Sequence, residues 1–416
     1  MKVLILGSGL LGVMTAYELG KRGFDVTVLE RNAESARETS YANGGQLSYT
    51  HAEPWATPGV LKKLPKWLFH ADSPLVVRRL DKEMIKWGLI FLRNCTAEHA
   101  AMNCVNLLRL GLYSKEVLEK IRAETGIAFD FYSRGILHIF STEADFEHAK
   151  KQYIFQAKFG DEHKVLTREE CFAVEPNLAH TSRTIVGGVH AVQDEIGDTY
   201  MFCKALAAIA SARYGVKFEY GVTIEKLHAG DNAITGVTTD KGDISADAYV
   251  MAMGSYSPVY LQQVGIHVPI YPMKGYSITL PANEFCPQSS ITDGSHKIVY
   301  TRMGNSLRVA GTAEFAGYNQ GINPKRITPM VEATKEMFPR ADWNQEIDTW
   351  ACLRPSTPDG PPVLGHTPLT NLFLNTGHGT LGWTQGAGSA TIVADMIEGK
   401  PAGILLNGFT LERFVR

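Results

Sequence analysis

The run Gly7-Ser8-Gly9-Leu10-Leu11-Gly12 constrains this chain more than any other feature. It is a G-x-G-x-x-G sequence that follows an apolar segment, Lys2 to Leu6, and opens a helical pattern from Leu10 to Arg22 that stops at Gly23. Asp25 to Glu30 reads as a second strand and completes a β-α-β unit. The three glycines serve different ends. Gly7 makes the tight turn, Gly9 lets backbone approach a pyrophosphate, and Gly12 lets helix and strand touch. The helix start then presents amide groups and a positive dipole end to the phosphates. Glu30 closes the next strand, 18 residues past Gly12, where a carboxylate accepts hydrogen bonds from ribose hydroxyls. The first strand does not alternate apolar with polar residues, which predicts a parallel strand covered on both faces.

At 416 residues the chain exceeds what one core supports, so two or three domains are expected. A formal charge of −2 gives no footprint for nucleic acid, and none is expected as a partner. The six cysteines, at 95, 104, 171, 203, 286 and 352, form no CxxC pair and have no zinc-like spacing, so they read as buried thiols of a reducing compartment. No metal is expected. The opening segment is broken by glycines at 7, 9 and 12 and shows no small-residue cleavage site, which argues against a secretory signal. The uncharged stretches 248–273 and 361–394 carry too many Gly, Pro, Asn, Gln and His to be membrane spans. The expected location is cytoplasmic, with peripheral contact on the inner face of the cell membrane as a further expectation.

Pieces that suit a parallel sheet recur far apart in the chain. Thr199 to Tyr214 reads as a helix, followed by the strand "GVKFEY" and the buried strand in "DAYVMAMGSYS", which ends at Gly254. Near the C-terminus "NLFLNTG" reads as a strand and Trp383 to Glu398 as a helix. The fold class predicted is α/β: a Rossmann-like nucleotide-binding domain assembled from 1–48, 196–260 and 346–416, with an inserted α+β substrate domain from 49–195 and 261–345. An NAD domain would finish in one block of about 150 residues. Here a second Gly-rich loop, "NTGHGTLGWTQGAG" at 375–388, also feeds a helix. Two such helix starts suit a larger cofactor: the first grips a pyrophosphate, the second aims its positive end at the flavin N1/C2 region, where charge gathers on reduction.

The segments "ETSYANGGQLSYTHAEPWATPG" (38–59), "MKGYSITL" (273–280), "LRPSTPDGPPVLG" (353–365) and "NTGHGTLGW" (375–383) resemble the FAD-dependent D-amino acid dehydrogenases. These are the small-subunit type within the D-amino acid oxidase and glycine oxidase superfamily, and the resemblance spans nearly the whole chain. It implies that Gly7, Gly9, Leu10, Gly12 and Glu30 hold the ADP half of FAD, with Arg31 beside the adenosine. It further implies that Ser40, Asn43, Gly45 and Gln46 pass along the ribityl chain and ring, with Gly254 at a strand end nearby. Gly377, Gly379, Thr380, Leu381 and Gly382 would close over the pyrimidine end. Arg354 matches the arginine that holds the substrate carboxylate in oxidase relatives. Bond geometry supports this independently, because a guanidinium offers a planar two-pronged match to a carboxylate. The implied activity is oxidation of a D-amino acid to a 2-oxo acid and ammonia, by hydride transfer from Cα to flavin N5, with electrons passed to a quinone-type acceptor.

Tyr276 and Arg302 are further candidates for the substrate side, against the plainer reading of a half-buried sheet tyrosine and a solvated strand end. His51 and His378 lie in flavin-side motifs, where a hydrogen-bonding loop role is the plainer expectation. The stretch 60–93 mixes Lys62, Lys63, Lys66, Arg78, Arg79, Lys82, Lys86 and Arg93 with Trp67, Leu68, Phe69, Trp87 and Phe91. It suits either an anionic membrane surface or a solvated helix packed by its aromatics. Alternative activities are an O2-using amine or glycine oxidase, a D-proline or D-hydroxyproline dehydrogenase, and a nucleotide-binding redox sensor without turnover.

Overall fold

A computed structural model describes residues 1–62, 75–160 and 162–415. Six strands form the first sheet, in the order Val363–His366, Leu372–Thr376, Ala248–Met251, Lys2–Leu6, Asp25–Glu30, Lys217–Tyr220. All pairings are parallel except the outermost, between Val363–His366 and Leu372–Thr376. The strand Lys2–Leu6 is buried on both faces, which explains its unbroken apolar run. Val3 and Ile5 pack under the helices Leu10–Lys21, Thr199–Tyr214 and Gly382–Glu398. Leu4 and Leu6 face Leu227 and Val237 of a small antiparallel sheet formed by Ile224–Ala229, Ile234–Thr239 and Gly242–Ile244.

A second, nine-stranded sheet stands beside the first. Its order is Asp348–Ser356, Tyr271–Pro281, Ser306–Phe315, Ile298–Met303, Ser290–Asp293, Ile136–Phe140, Gly187–Ala191, His163–Thr167, and Leu75–Val77 adds to Ser306–Phe315. Pro324–Met337 covers one face, setting Met330 and Met337 against Tyr276, Ile278 and Leu280.

The expected division of the chain needs two corrections. Asp348–Ser356, assigned by sequence to the nucleotide domain through the 346–416 segment, pairs along its whole length with Tyr271–Pro281 and belongs to the second sheet. The helix Ala97–Thr125, inside the expected 49–195 substrate segment, delivers Val117, Leu118 and Ile121 to the core under the first sheet. It lies so close to Gly382–Glu398 that the amide of Gly388 donates to Ser114 Oγ at 3.1 Å. An amphipathic pattern reports that a face is buried but not against which partner.

The basic stretch is a short 3-10 turn at Pro58–Lys62, the strand Leu75–Val77 and the helix Lys82–Asn94. Lys63, Lys66, Trp67, Leu68 and Phe69 lie outside the described residues. The six cysteines are all buried. Among the described residues no helix is long and apolar enough to cross a membrane, and no cluster of His, Cys, Asp or Glu is placed to hold a metal ion.

Candidate active site

One chamber of about 770 Å³ lies where the two sheets meet. The parallel strands point their carboxyl ends into it, the place where open α/β sheets bind ligands. Gly7 follows Lys2–Leu6, Glu30 and Arg31 end Asp25–Glu30, Gly254 lies past Ala248–Met251, and Gly377 follows Leu372–Thr376; all five line the wall. Gly7 has φ +100°, a conformation that disfavours side chains. Gly12 stays outside the chamber, and a methyl group there would overlap the Gly7 carbonyl oxygen, so its role is the close helix-to-strand contact.

The described α-helices longer than five residues differ in how they start. Those preceded by Asp81, Thr96, Thr142, Thr167, Asp198 and Asn323 begin with side-chain caps. Leu10–Lys21 and Gly382–Glu398 do not. Both uncapped starts lie on the chamber wall, at Gly9 and Leu10 and at Leu381 and Gly382. Their first amides therefore remain available to an anion or a polar ring edge, although Leu10 N already reaches Ser40 Oγ at 3.3 Å. Glu30 Oε2 accepts from Ser8 N at 3.0 Å and Oε1 from Asn32, which fixes the carboxylate at the strand end. Arg31 pairs with Glu38 and lies 4.5 Å over the Tyr256 ring.

The segment carrying Ser40, Asn43, Gly45 and Gln46 is clamped by side chains of the second sheet. Ser277 Oγ donates to the Ala42 carbonyl at 2.7 Å, Thr301 Oγ1 to that of Gly44 at 2.8 Å, and Arg308 to that of Asn43 at 3.3 Å. Gln46 Nε2 donates to Ser290 and Thr292, both at 2.9 Å. Of these partners only Ser277 falls in a segment the sequence singles out, "MKGYSITL". Gly379 and Thr380 complete the wall beside Leu381. Thr312, also missed by sequence, has φ +51° and lines the chamber at a bulge in Ser306–Phe315. Buried polar atoms of Thr312, Trp350, Asn375 and His378 on this wall have no partner among the described residues. Free amides at two helix starts together with unpaired polar atoms between them fit a long ligand with a phosphate part and a polar ring.

Arg354 also lines the chamber. Its guanidinium lies against the α-carbon of Gly275. No carboxylate of the described residues pairs with it, and burial pushes its pKa down to about 10, leaving it charged at neutral pH. Arg413 and Arg183, by contrast, pair with Asp359 at 2.7 Å and with Asp293 at 2.6 Å.

Tyr276 and Arg302 are placed differently from their expectation. Tyr276 touches the chamber, yet its side chain belongs to the core under Pro324–Met337, on the face opposite Gly275 and Ser277. There it lies beside the buried Lys274–Glu314 ion pair, and burial, then Glu314, raise its pKa. Arg302 is not brought to the chamber, and its guanidinium donates to the Asn283 carbonyl at 2.9 Å. His51 lines the chamber and stacks on His138 with ring centroids 5.8 Å apart; burial lowers both pKa values. His378 Nε2 meets Ser389 Oγ at 2.9 Å, a hydrogen-bonding loop role.

The family model of FAD dependent oxidoreductases matches residues 2–396. The chain belongs to this family. It is an FAD-dependent oxidoreductase, and the nucleotide the chamber is shaped to take is FAD. The D-amino acid dehydrogenase of Paramagnetospirillum magneticum is 45% identical over 418 residues, covering 100% of this chain and 99% of that protein. That of Rhizobium rhizogenes is 45% identical over 417 residues, covering 100% of both. Among solved structures, glycine oxidase from Geobacillus kaustophilus superposes with a TM-score of 0.79 at 22% identity, covering 100% of this chain and 99% of that one. L-proline dehydrogenase from P. horikoshii gives 0.77 at 20% identity, covering 99% and 97%. These two likenesses establish the fold.

Proposed function

We propose that this flavoenzyme oxidises D-amino acids to 2-oxo acids and ammonia and passes the electrons to a quinone-type acceptor. The observation that carries the substrate class is Arg354, a charged guanidinium on the chamber wall that no acid of the described residues pairs with. A free amino acid supplies the missing carboxylate in bidentate geometry. Pro355 stiffens the strand behind it, and Gly275 gives the guanidinium room to lie flat. FAD, when bound, supplies the electron sink at N5 for the hydrogen that leaves Cα as hydride.

The chain's own contribution is orientation. Anchoring the carboxylate fixes Cα, and a near-attack geometry contributes much of the rate. The uncapped helix starts at Leu10 and Gly382, with Glu30, Arg31 and the clamped 40–46 segment, would hold the cofactor along its length. The imino acid then hydrolyses in water. The D preference rests on the names of relatives that match end to end. For the acceptor, Lys82–Asn94 buries Met84, Trp87 and Phe91 while leaving Ile85 (53%), Leu89 (55%) and the preceding Leu80 (69%) exposed among Arg78, Arg79, Lys82 and Lys86. That surface suits an anionic bilayer, where quinones reside.

The test is anaerobic bleaching of the yellow holoenzyme by pairs of enantiomers. D-amino acids should bleach it and their L partners should not; colour that survives every D-amino acid refutes the reading. Peroxide formation under air, in place of dye reduction, would identify an oxidase, and bleaching confined to D-proline or D-hydroxyproline would identify an imino acid dehydrogenase.

A further inference from the structure

A second cavity, of about 300 Å³, adjoins the chamber and shares Trp55, Leu75 and Leu381 with it. Met273 lines its inner end. Met273 is the residue in register with Arg354 on the neighbouring strand, and it shares a sheet face with Gly275, over which the guanidinium lies. From Met273 the wall runs through Phe315 and Trp87 to Met84 and then to the exposed Ile85. Trp87 is fixed in place: its indole N–H donates to the Ser356 carbonyl at 2.8 Å, and its ring packs on Phe91 and Phe315 with centroids 5.1 Å away in each case.

We propose that this cavity receives the substrate side chain and selects long apolar and aromatic D-amino acids over small or charged ones. The proposal rests on the reading of Arg354 as the carboxylate anchor. Once the carboxylate is held and the Cα hydrogen is turned toward the flavin, the side chain leaves Cα in a remaining direction, and the wall beside Arg354 opens at Met273. Among the described residues, the charged and titratable groups at this cavity are Glu53, facing His148 at 3.4 Å, with His51 and His378 at the junction with the chamber. Among the described residues, the deep part between Met273 and Met84 offers an ammonium or carboxylate no partner, and stranding a charge there is costly. An apolar pocket discriminates by about tenfold or more for each methylene it buries.

Anaerobic stopped-flow of the holoenzyme isolates flavin reduction from reoxidation. The expected result is that reduction by D-phenylalanine, D-leucine and D-methionine exceeds that by D-alanine, D-glutamate and D-lysine by about tenfold or more in limiting rate over Kd. Gly88 lines the cavity, has helical backbone, and has nothing within 4 Å of where a Cβ would stand. Gly88→Leu should therefore fold, retain FAD absorbance, and lower the D-phenylalanine value about tenfold more than the D-alanine value. Met84→Ala should shift the preference toward D-tryptophan. Equal scaling of all substrates by Gly88→Leu, or D-lysine and D-glutamate matching D-leucine in the unaltered enzyme, would overturn the proposal. So would an effect confined to reoxidation by a soluble quinone, which would make the cavity the acceptor's route. Failure of every D-amino acid to reduce the unaltered enzyme would instead refute the activity itself.

Discussion

The guanidinium of Arg354 occupies the space a side chain at Gly275 would need: a methyl group there would overlap its central carbon. The two residues stand on adjacent antiparallel strands, Gly275 opposite Cys352 and Arg354 opposite Met273. The absence of one side chain therefore sets the position of another.

Gly275→Ala should push the guanidinium off the sheet and raise KM for the substrate while FAD remains bound. Arg354→Ala should cost about 2 to 5 kcal/mol in kcat/KM, the range for losing a buried charged partner. Dye-reduction kinetics with flavin absorbance recorded on the same samples check both. Unchanged KM in Arg354→Ala would remove the arginine from the site.

Gly12→Ala places a methyl group on the Gly7 carbonyl oxygen. Overpacking of this kind costs about 1 to 3 kcal/mol and should open the turn that faces the pyrophosphate. A weaker FAD Kd by fluorescence titration, together with a lower Tm, is expected; FAD binding equal to the unaltered protein would contradict the role assigned to the turn.

Lys274 and Glu314 form an ion pair at 2.7 Å, and both are almost wholly buried. Lys274→Met alone should destabilise by about 3 to 5 kcal/mol, because it leaves a buried carboxylate without its cation. The double variant Lys274→Met/Glu314→Leu should recover much of that loss. Thermal unfolding of the single and double variants measures the difference.

Burial holds the His378 imidazole down to about 3, against about 6.5 in an unfolded chain. The unfolded state then binds a proton that the native state refuses, so this residue's contribution falls as pH drops from about 6.5 toward 3. His378→Asn should lose less Tm than the unaltered protein between about pH 7 and pH 5. Parallel Tm profiles would show that His378 does not set that slope.

Lys82–Asn94 should bring the protein onto anionic vesicles in flotation, with binding that weakens as salt rises, since each surface cation contributes about 1 kcal/mol. Leu89→Glu should abolish flotation. Salt-independent absence of binding in the unaltered protein would leave the helix as a solvated face.

Much of the nucleotide side was legible in the sequence because its demands are local. The G-x-G-x-x-G turn, the helix it opens and the acid at Glu30 follow from backbone sterics and short spacings, and the structure has helices at Leu10–Lys21 and Thr199–Tyr214 nearly where the pattern put them. The candidate substrate side was read less well. Thr312 carries no motif, and Gly275, although inside "MKGYSITL", shows no sign of its role there, because both roles depend on strands far away in the chain.

The sequence by itself determined the kinds of element and the glycine turns, since φ restrictions, amide availability and apolar periodicity act within a few residues. Only the tertiary structure decided that Asp348–Ser356 joins the second sheet, that Ala97–Thr125 packs under the first, and that Tyr276 packs into the core with Met330 and Met337 while Gly275 yields its space to Arg354. A strand's alternation sorts its residues into two faces, but which face meets a cavity is set by the partner strands and covering helices, and those contacts join segments hundreds of residues apart.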